Sequence, residues 1–197
     1  MRKQIAVLAS GAGTVLQAIV DASAEGRLSA DVCVIISNNS ASGAAQRALR
    51  HDIPFRHLSG QTHPDPEVLD AAILDALLSH ETDLVFLAGY MKKLGTRTLA
   101  HFRGRILNTH PALLPKFGGL GMYGSRVHAA VLASGEATTG VSVHRVEGEY
   151  DTGPVLAQCE VPVLPGDDLA SLAARVQTRE RQFVVETLDR IARGELA

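Results

Sequence analysis

Cysteine is scarce in this chain: only Cys33 and Cys159 occur among 197 residues. Both fall inside predicted strands, and neither takes part in a C-x-x-C arrangement, so the spacings of metal and redox cysteines are missing and both read as buried, inert thiols. The eight histidines are scattered and form no H-E-x-x-H or other zinc pattern, so no metal is expected. Charge of one sign is not in excess either. Lys plus Arg number 19 against 21 Asp plus Glu, a net of −2, which leaves no overall basic field to recruit nucleic acid or an anionic membrane; any anion site must be local. No apolar run reaches the roughly 18 residues of a membrane helix, and the N-terminus has no secretory pattern, so a cytoplasmic protein is expected.

What the chain does contain is 46% hydrophobic residues, enough to bury a sizeable core in one domain spanning 1–197. Short apolar runs alternate with helical patterns through the first half. Strands are predicted over residues 4–9, Asp31 to Ser37, Phe55 to Leu58, Asp83 to Gly89 and Arg105 to His110. Between them lie helices over Thr14 to Ala24, after a cap at Ser40 or Ser42, opening at Pro64-Asp65-Pro66-Glu67 with an apolar stripe of Val68, Ala71, Ala72, Leu74, Ala76, Leu77 and Leu78, and around Thr96 to His101. That spacing predicts βαβ units, hence a Rossmann-like, mostly parallel α/β sheet with helices on both faces. The second half differs. A helix near Val127 to Ala133 precedes two extended strands, Gly140 to Val146 and Pro154 to Val163, and a long final helix over about Asp167 to Arg193, with Leu169, Leu172, Val176, Phe183, Val184, Leu188 and Ile191 on its apolar side.

In such sheets ligands bind outside the carboxyl ends of the strands. Three predicted strand exits carry unusual residues: Ser10-Gly11-Ala12-Gly13-Thr14, Gly89-Tyr90-Met91-Lys92-Lys93-Leu94 and Asn108-Thr109-His110-Pro111. The first is a glycine turn over a helix start, suited to an anion. Leu16 stands where a dinucleotide fingerprint would place its third glycine, and the second strand ends in Ser37-Asn38-Asn39 without an acidic residue for a ribose. A lone phosphate monoester is therefore the better guest, beside the plainer reading that the turn only packs helix on strand.

At the fifth exit, Asn108 and His110 are two apart on an extended segment, so they leave on one face and can donate to one oxyanion. Asp151, in the turn Tyr150-Asp151-Thr152-Gly153-Pro154, is placed to pair with His110, raise its pKa and relay a proton. Read alone, each of these residues is as readily structural, and Asp is a common turn former. No serine or cysteine sits in a nucleophile elbow, so the attacking group is expected to come from a bound substrate.

Together these segments resemble the phosphoribosylglycinamide formyltransferases of purine biosynthesis. The resemblance is carried by Ser10-Gly11-Ala12-Gly13-Thr14 with Leu16-Gln17-Ala18-Ile19, by Leu87-Ala88-Gly89-Tyr90-Met91, by Asn108-Thr109-His110-Pro111-Ala112-Leu113-Leu114-Pro115, by Tyr150-Asp151-Thr152-Gly153-Pro154 and by Arg175-Val176-Gln177, in order along nearly the whole chain. It implies transfer of a formyl group from 10-formyltetrahydrofolate to the amino group of 5′-phosphoribosylglycinamide. It implies Asn108, His110 and Asp151 as the catalytic set, and Gly11, Gly13, Thr14, Val15, Gln177 and Glu180 around the phosphorylated substrate. Met91, Lys92, Lys93, Leu94 and Asn108, with Val146, Glu147, Gly148 and Tyr150, would line the folate pocket. Residues 1–110 would form a phosphate-binding half and 111–197 a folate-side half, acting as a monomer or homodimer on small molecules alone.

The chain departs from the family pattern at several points. Val15 replaces a usual asparagine in the phosphate loop, and Pro66 and Lys92 replace arginines near the folate. The loop Lys116 to Gly124 is longer than usual, with His128 falling at the family's histidine. The enzyme rivals are transfer-RNA formyltransferase, expected to carry a further C-terminal domain, and formyltetrahydrofolate hydrolase, expected to carry an N-terminal one. A non-catalytic folate- or nucleotide-binding module and a nicotinamide dehydrogenase are the remaining alternatives.

Overall fold

The computed structural model describes residues 2–196. Along the chain run β1 (Lys3–Leu8), α1 (Thr14–Ala24), β2 (Ala30–Ser37), α2 (Gly43–Arg50), β3 (Phe55–His57), α3 (Pro66–Ser79), β4 (Leu84–Leu87), α4 (Thr96–His101), β5 (Ile106–His110), α5 (Ser125–Ser134), β6 (Thr138–Arg145), β7 (Val155–Pro162) and α6 (Leu169–Ala192). The strands form one seven-stranded sheet in the order β3-β2-β1-β4-β5-β6-β7. β1 to β5 are parallel, and β6 and β7 continue the sheet antiparallel. The expected Rossmann-like sheet, with two further C-terminal strands and a long final helix, is the observed fold.

Strand β1 explains why its sequence is an unbroken apolar run. Its residues alternate between two cores, Ile5 and Val7 entering one with α1, α2, α5 and α6, Ala6 and Leu8 entering the other with α3 and α4. A strand sandwiched between helices has no wet face. Two helix starts follow from the residues just before them: Ser42 accepts from the Ala45 amide to cap α2, and Asp65 accepts from the Glu67 amide ahead of Pro66 in α3.

The inward face of α3 differs from the stripe read in the sequence. Val68 and Leu78 are 52% and 46% exposed, whereas Asp70, Ile73, Ala76 and Leu77 face inward. The cause is polar. Asp70 accepts from the Arg97 amide at 2.8 Å, the Thr98 amide at 3.2 Å and the Thr98 hydroxyl at 2.5 Å, so it caps α4 and turns its side of α3 toward the sheet. Gly95 makes that cap possible, because a Cβ there would lie 2.2 Å from Asp70 Cγ. Gly95→Ala is expected to lower unfolding free energy by roughly 2–3 kcal/mol, read from urea melts, since the buried carboxylate must leave its donors. A loss below a few tenths would show that Asp70 can shift freely. Leu169, assigned to the apolar side of the final helix, is 41% exposed at its first turn.

Candidate active site

Strand order reverses between β1 and β4, so their carboxyl ends open a crevice there. The Ser10 hydroxyl ties three exits together: it donates to Asn38 Oδ1 at 2.5 Å and accepts from the Met91 amide at 2.8 Å, while the Ser10 amide donates to the Gly89 carbonyl at 3.1 Å. Gly13 caps α1 in the left-handed conformation (φ 70°) with no side chain satisfying the first turn. The amides of that turn are therefore left for a ligand. Val15 is 8% exposed and packs into the core, so it offers only backbone to the loop.

Across the crevice, the register of β5 against β6 pairs Asn108 with His144 and His110 with Ser142. His144 Nδ1–H donates to the Arg145 carbonyl at 2.9 Å, which leaves Nε2 to accept from the Asn108 amide at 3.1 Å. Asp151 reaches both rings, with Oδ1 3.4 Å from His144 Nε2 and Oδ2 3.4 Å from His110 Nδ1. Its backbone is left-handed (φ 56°), and Oδ2 also accepts from the Gly119 amide at 3.0 Å. Ser142 braces the segment after His110: its hydroxyl donates to the Ala112 carbonyl at 2.6 Å and accepts from the Leu114 amide at 3.0 Å. Asn108, His110 and Asp151 thus meet as a cluster, joined by His144, which the sequence reading did not single out.

One expectation about this cluster is corrected by the surroundings of His110. His110 Nε2–H donates to the Phe117 carbonyl at 2.7 Å, and one Asn108 N–H goes to His144. The net shift of the His110 pKa is downward rather than upward, despite the Asp151 charge. Burial outweighs the Asp151 charge and the Phe117 carbonyl, and holds the imidazole below its usual range. Burial also pushes Asp151 upward, but the neighbouring His144 and His110 rings and the Gly119 amide outweigh it and bring the carboxylate below its usual value. His128 is depressed by burial and then by His110.

Both histidines therefore bind fewer protons in the folded than in the unfolded chain as pH falls below about 6.5, and stability rises with pH through that window. Urea midpoints are expected to fall from about pH 7 toward pH 5, with a shallower fall in His128→Gln. Midpoints flat over that range would contradict the depressed values.

Two cavities open on the cluster. The larger, about 490 Å³, is walled by Asn108, His110, Asp151, the Gly119–Gly124 stretch, and Gln177 and Glu180 of α6. Burial raises the pKa of Glu180, whose Oε1 accepts from the Thr109 hydroxyl at 3.0 Å. The smaller cleft, about 60 Å³, lies between Leu87, Lys92, Lys93 and Leu94 on one side and Val146, Gly148 and Tyr150 on the other. A Lys93–Glu149 ion pair of 3.0 Å closes over it, with Lys93 Nζ 5.0 Å from the Tyr150 ring centre. Tyr90 borders both spaces and a third of about 630 Å³ beside His57 and Gln61, and burial pushes its hydroxyl up to about 12.

Met91 lines the larger cavity rather than the cleft, and Glu147 is exposed outside both walls. Gly11, Gly13 and Val15 border neither space, and Thr14 faces an open groove between α1 and α6 with Gln17 and Arg181. Each cavity takes walls from both sides of residue 110. Among the described residues no group of three or more His, Cys, Asp or Glu is placed to hold a metal, and no helix is long and apolar enough to cross a membrane.

A doubly wound α/β protein with a polar cluster at its switch point, shared by a ligand-sized cavity and a smaller cleft, defines the class. The chain belongs to the formyl transferase family, whose pattern matches residues 3–188. It is 41% identical over 189 residues to a phosphoribosylglycinamide formyltransferase of Mycobacterium tuberculosis, covering 96% of this chain and 85% of that protein. A chloroplastic enzyme of the same name from Vigna unguiculata is 43% identical over 95% of this chain, which spans only 60% of that relative's length. The crystal structure of glycinamide ribonucleotide transformylase 1 from Symbiobacterium toebii superposes with a TM-score of 0.90 at 38% identity, covering 98% of this chain and 88% of that one.

Proposed function

We propose that this protein transfers a formyl group from 10-formyltetrahydrofolate to the amino group of 5′-phosphoribosylglycinamide. The observation that carries the reading is the shared wall: Asn108, Asp151, Tyr90 and Tyr150 border both the 490 Å³ cavity and the smaller cleft. A donor in the cleft and an amine in the cavity would bring their reacting atoms together at those residues. The relatives are named for phosphoribosylglycinamide and the formyl group, and the folate donor is what the sequence resemblance implies.

In this reading the uncharged amine attacks the formyl carbon, and the carbonyl oxygen becomes an oxyanion. The second N–H of Asn108 donates to it, and the oxyanion takes the place of the Phe117 carbonyl at His110 Nε2. As negative charge grows there, the imidazolium form of His110 gains stability and Asp151 holds the ring. The C–N bond to the folate nitrogen then breaks, and that nitrogen leaves with the proton the amine gives up. The phosphate would sit on the uncapped first turn of α1 at Gly11, Gly13, Thr14 and Val15, and Gln177 and Glu180 would face the sugar. Lys92, Lys93 and Leu94 with Val146, Gly148 and Tyr150 would meet the reacting end of the folate, and Met91 would face the amine side. One chain supplies every wall, so monomer and homodimer serve equally, and two free thiols suit the reducing cytoplasm.

The test is an assay with purified protein, formyl donor and glycinamide ribonucleotide, following tetrahydrofolate release. Release that needs the amine supports transfer; release without it would assign hydrolysis, and no release at all would remove the enzymatic reading.

A further inference from the structure

α5 turns His128 inward into the same 490 Å³ cavity, where it stands 3% exposed on the wall with His110, Gln177 and Glu180. Its Nδ1 is sealed from solvent and has no hydrogen-bond partner among the described residues. Buried polar atoms are nearly always paired, and none of the steps above uses this ring. Burial and the neighbouring His110 keep it neutral, so it carries a single N–H. A sealed nitrogen with no acceptor in reach is the poorer seat for that hydrogen, which therefore resides on Nε2 and leaves the lone pair on Nδ1. With Nδ1 closed off, Nε2 is the nitrogen left to meet a ligand.

We infer that His128 is a binding residue for the amine substrate, its Nε2–H donating to an oxygen of that molecule, the carbonyl beside the reacting amine. The wall supports this choice of acceptor. His128 lies on the His110 side of the cavity, where the amine must be, while Glu180 is an acceptor and suits hydroxyl donors instead. A carbonyl one carbon from the attacking nitrogen is the acceptor nearest that position. The inference rests on the proposed amine substrate.

Two measurements test it. In His128→Leu, which keeps the apolar bulk and removes the donor, KM for glycinamide ribonucleotide is expected to rise about tenfold, as for a lost hydrogen bond to a buried group, with KM for the formyl donor unchanged. His128→Gln, which restores an N–H, should recover part of that loss. Both KM values unchanged, or both raised together with a lowered melting temperature, would overturn the assignment in favour of a packing role. If the Leu variant does not fold, nitrogen-15 NMR of the wild-type imidazoles decides. Adding glycinamide ribonucleotide without donor should move the His128 Nε2 resonance of an Nε2–H tautomer, and a resonance that stays put while the substrate binds would overturn the inference. Wild-type protein that neither binds nor formylates the ribonucleotide would instead remove the proposed function itself.

Discussion

His110→Ala and Asp151→Asn are each expected to lower kcat for formyl transfer by about 10²- to 10³-fold while the protein stays folded, the range for losing an oxyanion donor or a general acid–base partner. The two changes act on one unit. His110 holds its Nε2–H on the Phe117 carbonyl and its Nδ1 3.4 Å from Asp151, and Asp151 also bridges to His144 and to the Gly119 amide. On the proposed function, removing the ring would leave the oxyanion one donor short, and neutralising the carboxylate would leave the ring without the charge that favours its protonated form during the reaction. Asparagine is the right replacement at position 151 because the backbone there is left-handed (φ 56°), which Asn tolerates and Ala does not. Because the residues share one step, the double variant should be little slower than the worse single one. Turnover followed by tetrahydrofolate release, beside circular dichroism for folding, checks this. A folded single variant that keeps more than about a tenth of wild-type kcat would remove that residue from the chemistry.

The strand exits were legible in the sequence because a parallel sheet puts every carboxyl end on one edge, so Ser10, Gly89 and Asn108 needed only their strands to be found. Asn108 and His110 share a face for an equally local reason, the two-residue period of a strand. His144 was not legible. It sits within an apolar stretch, GVSVHR, with no motif around it, and its importance comes only from the register that sets it opposite Asn108. The Phe117 carbonyl was hidden more deeply still, since a backbone oxygen has no residue signature and is aimed at His110 by a left-handed turn (φ 56°) in an irregular loop. The sense of the His110 shift was misread for a related reason. An ion pair can be guessed from sequence, but the burial that outweighs it depends on how β5, β6 and the loop after Pro115 close together. Likewise, Val68 and Leu78 look like core on helical spacing alone, and only the tertiary bond of Asp70 to α4 turns them outward.

Gly153→Ala is the second large effect expected, and it acts without touching a ligand. A Cβ at position 153 would lie 1.9 Å from the Arg145 carbonyl oxygen and 2.8 Å from its carbon, at the end of β6, where only backbone movement can relieve the overlap. That carbonyl is the acceptor that fixes the His144 Nδ1–H, and the Arg145 amide donates in turn to the Pro154 carbonyl at 2.9 Å. Displacing it frees the His144 ring, and with it the Asn108 amide and one oxygen of Asp151. The turn that carries Asp151 two residues earlier must shift as well. One methyl group is thus transmitted to three of the four polar side chains of the cluster. The expected outcome is a loss of about 2–4 kcal/mol in unfolding free energy together with a fall in kcat of about 100-fold. Measuring turnover at a temperature where circular dichroism finds the variant fully folded separates the two. If kcat recovers to near wild type under those conditions, the Arg145 carbonyl supports the fold alone and does not align His144 with the reacting groups.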